Sequence, residues 1–384
     1  MKKLAIIGAN DFQNQLILKA KSLGYETHVF AWQCGDVGES TADFFYPISI
    51  VEKEEILRKC AKIEIDGICS IASDLATLTV NYVAENLGLC GNSMECTNIS
   101  TNKFLMRKAF ADNGIPVPKF CICSEDFEPS AVEDFTFPCI VKPTDRSGSR
   151  AITKVSSIED IAAAVKSAVE ESFEKKAIIE EFIEGNEYSC ECVTQNGKHH
   201  FLTITKKYTT GAPHFIETGH IQPCDIPSNQ HDSIAKQIFA ALDALKIENS
   251  ASHAEFKLDK NGIVRIIEIG ARMGGDCIGS DLVQLSTGFD FKKMIIDVAC
   301  GNEIDLTPQK HYGAAAIKFI FTENDLEEME RIKAKMPESI FRISKMDMEH
   351  IGHATDSSTR AGYYIIASDD VDAVRGCFGS NSAQ

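Results

Sequence analysis

Apolar positions in the first ninety residues follow two rhythms. Segments 3–8, 26–31 and 67–72 are short apolar runs that predict buried strands, and 13–23, 54–61 and 76–87 carry one apolar face at helical spacing. Strand and helix in alternation imply a parallel, doubly wound sheet. Gly8-Ala9-Asn10 ends the first strand without completing Gly-x-Gly-x-x-Gly, so a dinucleotide on this sheet is disfavoured. A helix is expected over 102–113, capped by Ser100 or Thr101 and stopped by Gly114-Ile115-Pro116-Val117-Pro118. Lys103 falls in its first turn, where a cation opposes the helix dipole, and such local conflicts often mark function.

The rhythm changes after Pro138. A strand over 139–142, a polar loop over 144–150 and a strand over 151–155 precede a helix with Ile158, Ile161, Val165, Ala168 and Val169 on one face. Strands at 177–179, 188–193 and 201–204, with Asn196-Gly197 as a turn, indicate a mixed, largely antiparallel region. Helices near 232–245 and 291–299 and a final α+β stretch from about 302 complete the chain. The fold class is therefore α/β followed by α+β. No repeat or low-complexity linker divides it.

A second Asn-Gly pair, Asn261-Gly262, predicts a hairpin with glutamates on both strands. With a two-residue type I′ turn, Lys260 faces Ile263 and Glu255 directly opposes Glu268. A four-residue loop keeps both carboxylates on one face; a bulge separates them. Opposed like charges repel, which a divalent cation between them would relieve, whereas two solvated glutamates on an exposed face need no ion. Arg272 and Gly274-Gly275 follow at once, placing a bidentate cation and close-approach backbone beside the pair. A magnesium site, and so phosphate chemistry, is the expectation.

Val141-Lys142-Pro143 ends a strand and precedes Asp145-Arg146-Ser147-Gly148-Ser149-Arg150. Small residues let backbone N–H groups wrap phosphates while the lysine adds a point charge, although a plain hairpin turn would look alike. The order Gly-Lys-Ser/Thr of a P-loop is absent.

Composition sets outer bounds. The 384 residues, 44% hydrophobic and 25% charged, suit two or three domains with a sizeable core. A net charge of −17 without a basic tract argues against nucleic-acid binding. The 14 cysteines are scattered through apolar runs, and the closest pairs, Cys121/Cys123 and Cys190/Cys192, have one-strand-face spacing rather than Cys-x-x-Cys. Buried reduced thiols in a cytoplasmic protein are expected. The apolar run at 4–7 is too short for a signal peptide and no stretch reaches membrane-spanning length, so no membrane role is expected.

These motifs together resemble the ATP-grasp ligases, especially the carboxylate-amine branch with the bacterial L-amino-acid ligases, and more distantly carbamoyl-phosphate synthase and biotin carboxylase. The resemblance spans nearly the whole chain and is strongest over 103–276. It rests on Asn102-Lys103, Ile140-Val141-Lys142-Pro143, Ser147-Gly148-Ser149, Ile179-Glu180-Glu181-Phe182-Ile183 with Glu187, His253-Ala254-Glu255, and the run from Glu268 through Arg272 to Asp276. It implies a pre-ATP-grasp domain over 1–98, an ATP-grasp domain over 99–300 whose small subdomain covers about 116–185, and a C-terminal α+β subdomain over 301–384.

By the same resemblance Lys103 and Lys142 hold ATP phosphates under the Ser147, Gly148, Ser149 loop. Glu180, Glu181, Phe182 and Ile183 form the hinge that meets adenine, and Glu187 takes the ribose hydroxyls. Glu255 and Glu268 ligate Mg²⁺, with Mn²⁺ as a substitute, and Arg272 sits where an acyl phosphate forms. The stretch 206–220 looks like a substrate loop in which Glu217 and His220 contact amino acids. Asp74 is a weaker candidate for a substrate ammonium, with a helix cap as its plainer role. Many relatives carry asparagine where this chain has Gly270, which removes one metal ligand. The expected activity is ATP-dependent amide formation between small carboxylate and amine substrates, amino acids among them, with homodimers common among relatives. Phosphoribosylamine, bicarbonate or formate as substrate, a nucleotide-binding module without turnover, and a dinucleotide oxidoreductase are the rivals.

Overall fold

In the computed structural model, which describes residues 1–378 apart from 213, 214 and 260, the strands form three sheets. β1 (Lys3–Ile7), β2 (Glu26–Phe30), β3 (Phe44–Tyr46) and β4 (Gly67–Cys69) are parallel, in the order β3-β2-β1-β4. Doubly wound sheets take ligands where the strand order reverses, here at the carboxyl ends of β1 and β4. That crevice is filled. Gln13, 3% exposed, accepts from the Ile71 N–H at 3.1 Å and donates to the Ile71 carbonyl.

Two helix starts differ from expectation. Ser73, not Asp74, caps the helix Asp74–Leu87, which leaves the Asp74 carboxylate to pair elsewhere. Ser100 and Thr101 belong to an unanticipated helix, Met94–Thr101, so Asn102 caps the helix Lys103–Asp112 by accepting from the N–H groups of Phe104 and Leu105.

β5 (Phe120–Cys123), β6 (Cys139–Pro143), β7 (Thr153–Val155) and β8 (Ala177–Glu181) make a smaller antiparallel sheet in the order β5-β8-β6-β7. The helix Ile161–Glu171 covers it, packing Ile161, Val165 and Ala168 against Val141 and Ile179.

The third sheet comprises β9 (Glu187–Gln195), β10 (Lys198–Thr209), β11 (Glu217–Gln222), β12 (Ser250–Leu258), β13 (Val264–Gly270), β14 (Ala314–Ile320), β15 (Ile340–Ile343) and β16 (Gly362–Ser368). Its order is β13-β12-β9-β10-β11-β14-β16-β15, so the strands after residue 301 continue the sheet that carries the glutamate hairpin. Side chains alternate across it. Cys190 and Cys192 face the helix Ser228–Ala244, whereas Val193 faces the helix Phe291–Ala299. The cysteines are free; Cys34 is exposed, Cys90, Cys121 and Cys300 are half-buried, and the rest are buried.

The stretch 206–220, expected as a loop, is mostly strand: only residues 210–216 connect β10 to β11. The two lysines that look like loop residues are buried in β10 because each finds a carboxylate, Lys206 on Asp225 and Lys207 on Glu255, both at 2.5 Å. Pro213 and His214 of that connection, and Lys260 expected opposite Ile263, lie outside the described residues. Among the described residues no helix is long and apolar enough to cross a membrane.

Candidate active site

The hairpin of β12 and β13 opposes Glu255 to Glu268, by a different route from a two-residue turn. Its register pairs Leu258 with Val264, Lys257 with Arg265 and Phe256 with Ile266, then shifts so that Glu255 meets Glu268. The tip spans 259–263, tied by Asp259, whose N–H donates to the Ile263 carbonyl at 3.1 Å and whose carboxylate accepts from Asn261 and Ile263. Continued unchanged, that register would pair Glu255 with Ile267 and turn Glu268 to the opposite face. A bulge at Ile267 corrects it. The irregularity expected to part the carboxylates therefore brings them together, and the Ile267 carbonyl it frees accepts from Arg107 Nη2 at 2.7 Å.

Each glutamate meets a lysine. Lys103 Nζ lies 3.0 Å from Glu268 Oε1 and also donates to the Arg146 carbonyl, which offsets its unfavourable place at a helix start. Lys207 Nζ lies 2.5 Å from Glu255, 3.5 Å from Glu187 and 3.8 Å from Glu217. Burial pulls the Lys207 ammonium down, but these three carboxylates overcome it and hold it above the ordinary lysine range. Burial likewise works to raise Glu255, and Lys207 and His253 hold it well below the usual carboxylate range. His253 bridges Glu191 (2.6 Å) and Glu255 (3.1 Å); burial opposes its charge, yet Glu191 and Glu255 raise it to about 9. Glu187 is pushed up by burial and by its carboxylate neighbours against the pull of Lys207.

Lys103, Glu187, Glu217, His253, Glu255 and Glu268 share one open cleft of about 1100 Å³, solvent included, between the small sheet and the large one. Lys103, Lys142, the loop Ser147-Gly148-Ser149, Glu180 to Ile183, Glu187, Glu217, Glu255, Glu268 and Arg272 all line it. Ile140, Ile152, Ile267 and Phe182 add apolar wall of the kind that takes a flat aromatic base. Gly148, Ser149 and Ala151 adopt left-handed conformations (φ 75°, 58° and 50°), which curl the loop at the cleft edge, and Ser149 Oγ reaches the Phe215 carbonyl of the 210–216 connection at 3.4 Å.

Beneath the loop, Glu180 takes both Arg107 (Nε–Oε2 2.8 Å) and Lys142. Burial opposes the Glu180 charge, but these two cations hold it down to about 2. Burial lowers Lys142, with Glu180 pulling back and Arg107 and Lys103 adding to the fall. The Glu180 side chain, expected to meet adenine, is thus committed to this cluster. At the hinge the Phe182 N–H donates to the Pro138 carbonyl at 3.0 Å, and the Ile183 carbonyl accepts from Lys257 Nζ at 2.9 Å.

Arg272 is clamped from the N-terminal domain. Asp74 binds it in a fork, Nε–Oδ1 2.8 Å and Nη2–Oδ2 3.0 Å, and although burial works against the charge, Asp74 keeps the guanidinium strongly basic. Asp74 is therefore neither a cap nor free for a substrate ammonium. Gly270 has a structural reason: a Cβ there would lie 2.9 Å from Arg272 Cζ, so the guanidinium occupies the space an asparagine would need.

His220 stands apart from the cleft wall. It is 1% exposed, with Nε2 3.4 Å from Asp276 and its ring edge-on to Phe319. Direct contact with a substrate, as expected from sequence, is not available to it in this conformation. Sequence reasoning gave no role to Arg107, Lys207 or Glu191. Arg107 had a signal: it lies one turn after Lys103, on the same stripe as buried Met106 and Phe110. Lys207 and Glu191 had none, because their partners sit on other strands.

Two carboxylates on one face are a hard-oxygen donor set that fits a magnesium ion with room for phosphate oxygens and water. Among the described residues no cluster of three or more acidic, histidine or cysteine side chains could hold a metal. Any ion here thus depends on a ligand that brings oxygens of its own.

Comparison with known proteins agrees with this geometry. The ATP-grasp domain family matches residues 135–281. Alanine-anticapsin ligase of Bacillus subtilis (strain 168) is 28% identical over 307 residues, 71% of this chain and 64% of that protein, so the chain spans under two thirds of that relative. The L-amino acid ligase of Bacillus licheniformis superposes with a TM-score of 0.82 at 22% identity, covering 98% of this chain and 95% of that one. Phosphoribosylglycinamide synthetase of Anaerococcus prevotii does so with 0.77, also at 22% identity, over 98% and 96%. Residues 135–281 match the ATP-grasp domain family, and nearly the whole chain, with the N-terminal parallel sheet and the C-terminal strands, shares the fold of these two solved structures.

Proposed function

We propose that the chain is an ADP-forming ligase that joins a carboxylate to an amine, with an amino acid as one partner. The observation that carries this reading is the convergence of Glu255, Glu268, Lys103, Lys142 and Arg272 on one cleft. Lys142 and Lys103 hold the nucleotide phosphates under the 147–149 loop, the backbone of 181–183 takes adenine, and Glu187 takes the ribose hydroxyls. Glu255 and Glu268 would hold Mg²⁺, or Mn²⁺ in its place, with Lys103 turned from Glu268 to the phosphates. The ion would supply charge neutralisation on the transferred phosphoryl group.

A substrate carboxylate oxygen attacks the γ-phosphorus, the bond to the bridging oxygen breaks, and ADP leaves. Arg272, fixed by Asp74, neutralises the resulting acyl phosphate. The amine nitrogen, seated by Glu217, then attacks the acyl carbon; the carbon–oxygen bond to phosphate breaks and an amide forms. Positioning and electrostatics dominate such a transfer, which suits a site built from fixed charges. The crowding of position 270 by Arg272 favours turnover over a passive binding module, because the glycine serves the guanidinium. We further infer domain boundaries near residues 98 and 300, a cytoplasmic setting where ATP is supplied, and a homodimer.

ADP release should appear with pooled amino acids and the amide product in mass spectra of the same mixtures. Arms with bicarbonate, formate or phosphoribosylamine separate the other acids and amines. Retention of amino-acid-dependent ADP release in both Glu268→Gln and Arg272→Ala would refute the assignment.

A further inference from the structure

The segment 356–360 lies outside the matched ATP-grasp region and drew no notice in the sequence. It is nevertheless tied to both substrate-facing parts of the cleft. Arg360 packs its guanidinium 3.6 Å over the Phe319 ring and forks onto Asp276, with Nη2–Oδ1 2.6 Å and Nη1–Oδ2 3.0 Å. Its Nε holds the Ser357 carbonyl at 2.8 Å, and Ser357 Oγ donates to Glu217 Oε2 at 2.7 Å.

Both anchors are places where the chain would otherwise relax. Asp276 and Cys277 are consecutive non-glycine residues in the left-handed region (φ 52° and 59°), which side-chain-bearing residues rarely adopt. Asp276 lies four residues after Arg272, within the turn 275–277. Glu217 has Lys207 at 3.8 Å on one oxygen and Ser357 on the other, so the serine decides whether its carboxylate swings to the ammonium or stays toward the cleft.

We propose that Arg360 is a positioning residue for the amine end of the cleft: through Ser357 it orients Glu217, and through Asp276 it holds the strained turn that follows Arg272. The inference rests on the ligase reading for its kinetic part. Such an arrangement selects a compact amine, because Glu217 is presented at one fixed depth.

The test uses the full chain with Arg360→Gln, Arg360→Lys and Ser357→Ala. In Arg360→Gln the KM for the amine should rise roughly tenfold or more, the loss of about one charge-assisted hydrogen bond, while the KM for ATP stays within about twofold. Arg360→Lys should restore part of the loss, and Ser357→Ala should shift the same KM by less. Equal changes in both KM values, or an unchanged amine KM, overturn the proposal. Hydrogen–deuterium exchange with and without ADP gives an answer independent of turnover: uptake at 217–222 and 272–277 should rise in Arg360→Gln, and unaltered uptake overturns the strap. If the native chain releases no ADP with any acid and amine, the ligase reading fails and exchange alone decides. If Arg360→Gln does not fold, Ser357→Ala, which keeps the Arg360–Asp276 pair, decides by the amine KM and by uptake at 217–222, and no change in either overturns the proposal.

Discussion

Two buried ion clusters face the same cleft with opposite surpluses. Around Glu180, one carboxylate faces Arg107 and Lys142. Around Lys207, one ammonium faces Glu187, Glu217 and Glu255. A surplus that the protein leaves unbalanced in a low-dielectric wall is what a ligand of opposite sign completes. The first cluster therefore asks for an anion and the second for a cation. A metal nucleotide carries both, with its phosphates and its ion placed side by side.

The sharpest way to break this contrast is to remove the cationic surplus. Lys142→Met should lower ADP release by about a hundredfold or more, read at saturating amino acid, because a fixed charge on the transferred phosphoryl group is lost. A loss under about threefold would mean the surplus does not serve the nucleotide.

Glu180→Gln tests whether the same cluster also holds the fold. Its carboxylate is held at about 2 against an ordinary 4.5, so its stabilisation is complete above pH 4.5 and fades as pH falls toward 2. The difference in unfolding free energy between native and variant should be large at neutral pH, on the order of 3 kcal/mol, and should narrow below pH 4.5. A difference that does not vary with pH would remove the ion pairs from the account.

On the acidic side, Lys207→Met exposes the surplus. Mn²⁺ binding in the presence of ADP, followed by electron paramagnetic resonance, should tighten by about tenfold, since Glu255 loses its internal cation. The smallest effect is expected from Gly270→Ala. The added Cβ must displace the end of Arg272, so kcat should fall several-fold, roughly threefold to tenfold, with the KM for ATP little changed.

The pairing of Glu255 with Glu268 was legible in outcome but not in cause: the tip spans 259–263 rather than the two residues the turn signal implies, and the bulge at Ile267, which no local rhythm announces, restores the register. The parallel sheet and the Lys142 strand were legible because each is written in local hydrophobic rhythm. Lys206 and Lys207 were not: buried lysines imitate a solvated loop unless the partner carboxylates, on β12 and before the helix Ser228–Ala244, are known. His220 misled because its place in the chain order says nothing about depth, and its partners in the buried position are β14, with the Phe319 ring edge-on, and Asp276. The strap through Arg360 joins residues 84 positions apart, beyond the reach of any spacing rule.

The bulge at Ile267 separates the hairpin into two mechanically distinct parts. Arg107 fastens the extra carbonyl from the cleft side, so the alignment of the acidic pair is fixed below the bulge whatever happens at the tip. Insertions or deletions around 259–263 can then be absorbed at the outer end of the ladder, where evolution or a protein engineer is free to vary length while the acidic end keeps its geometry.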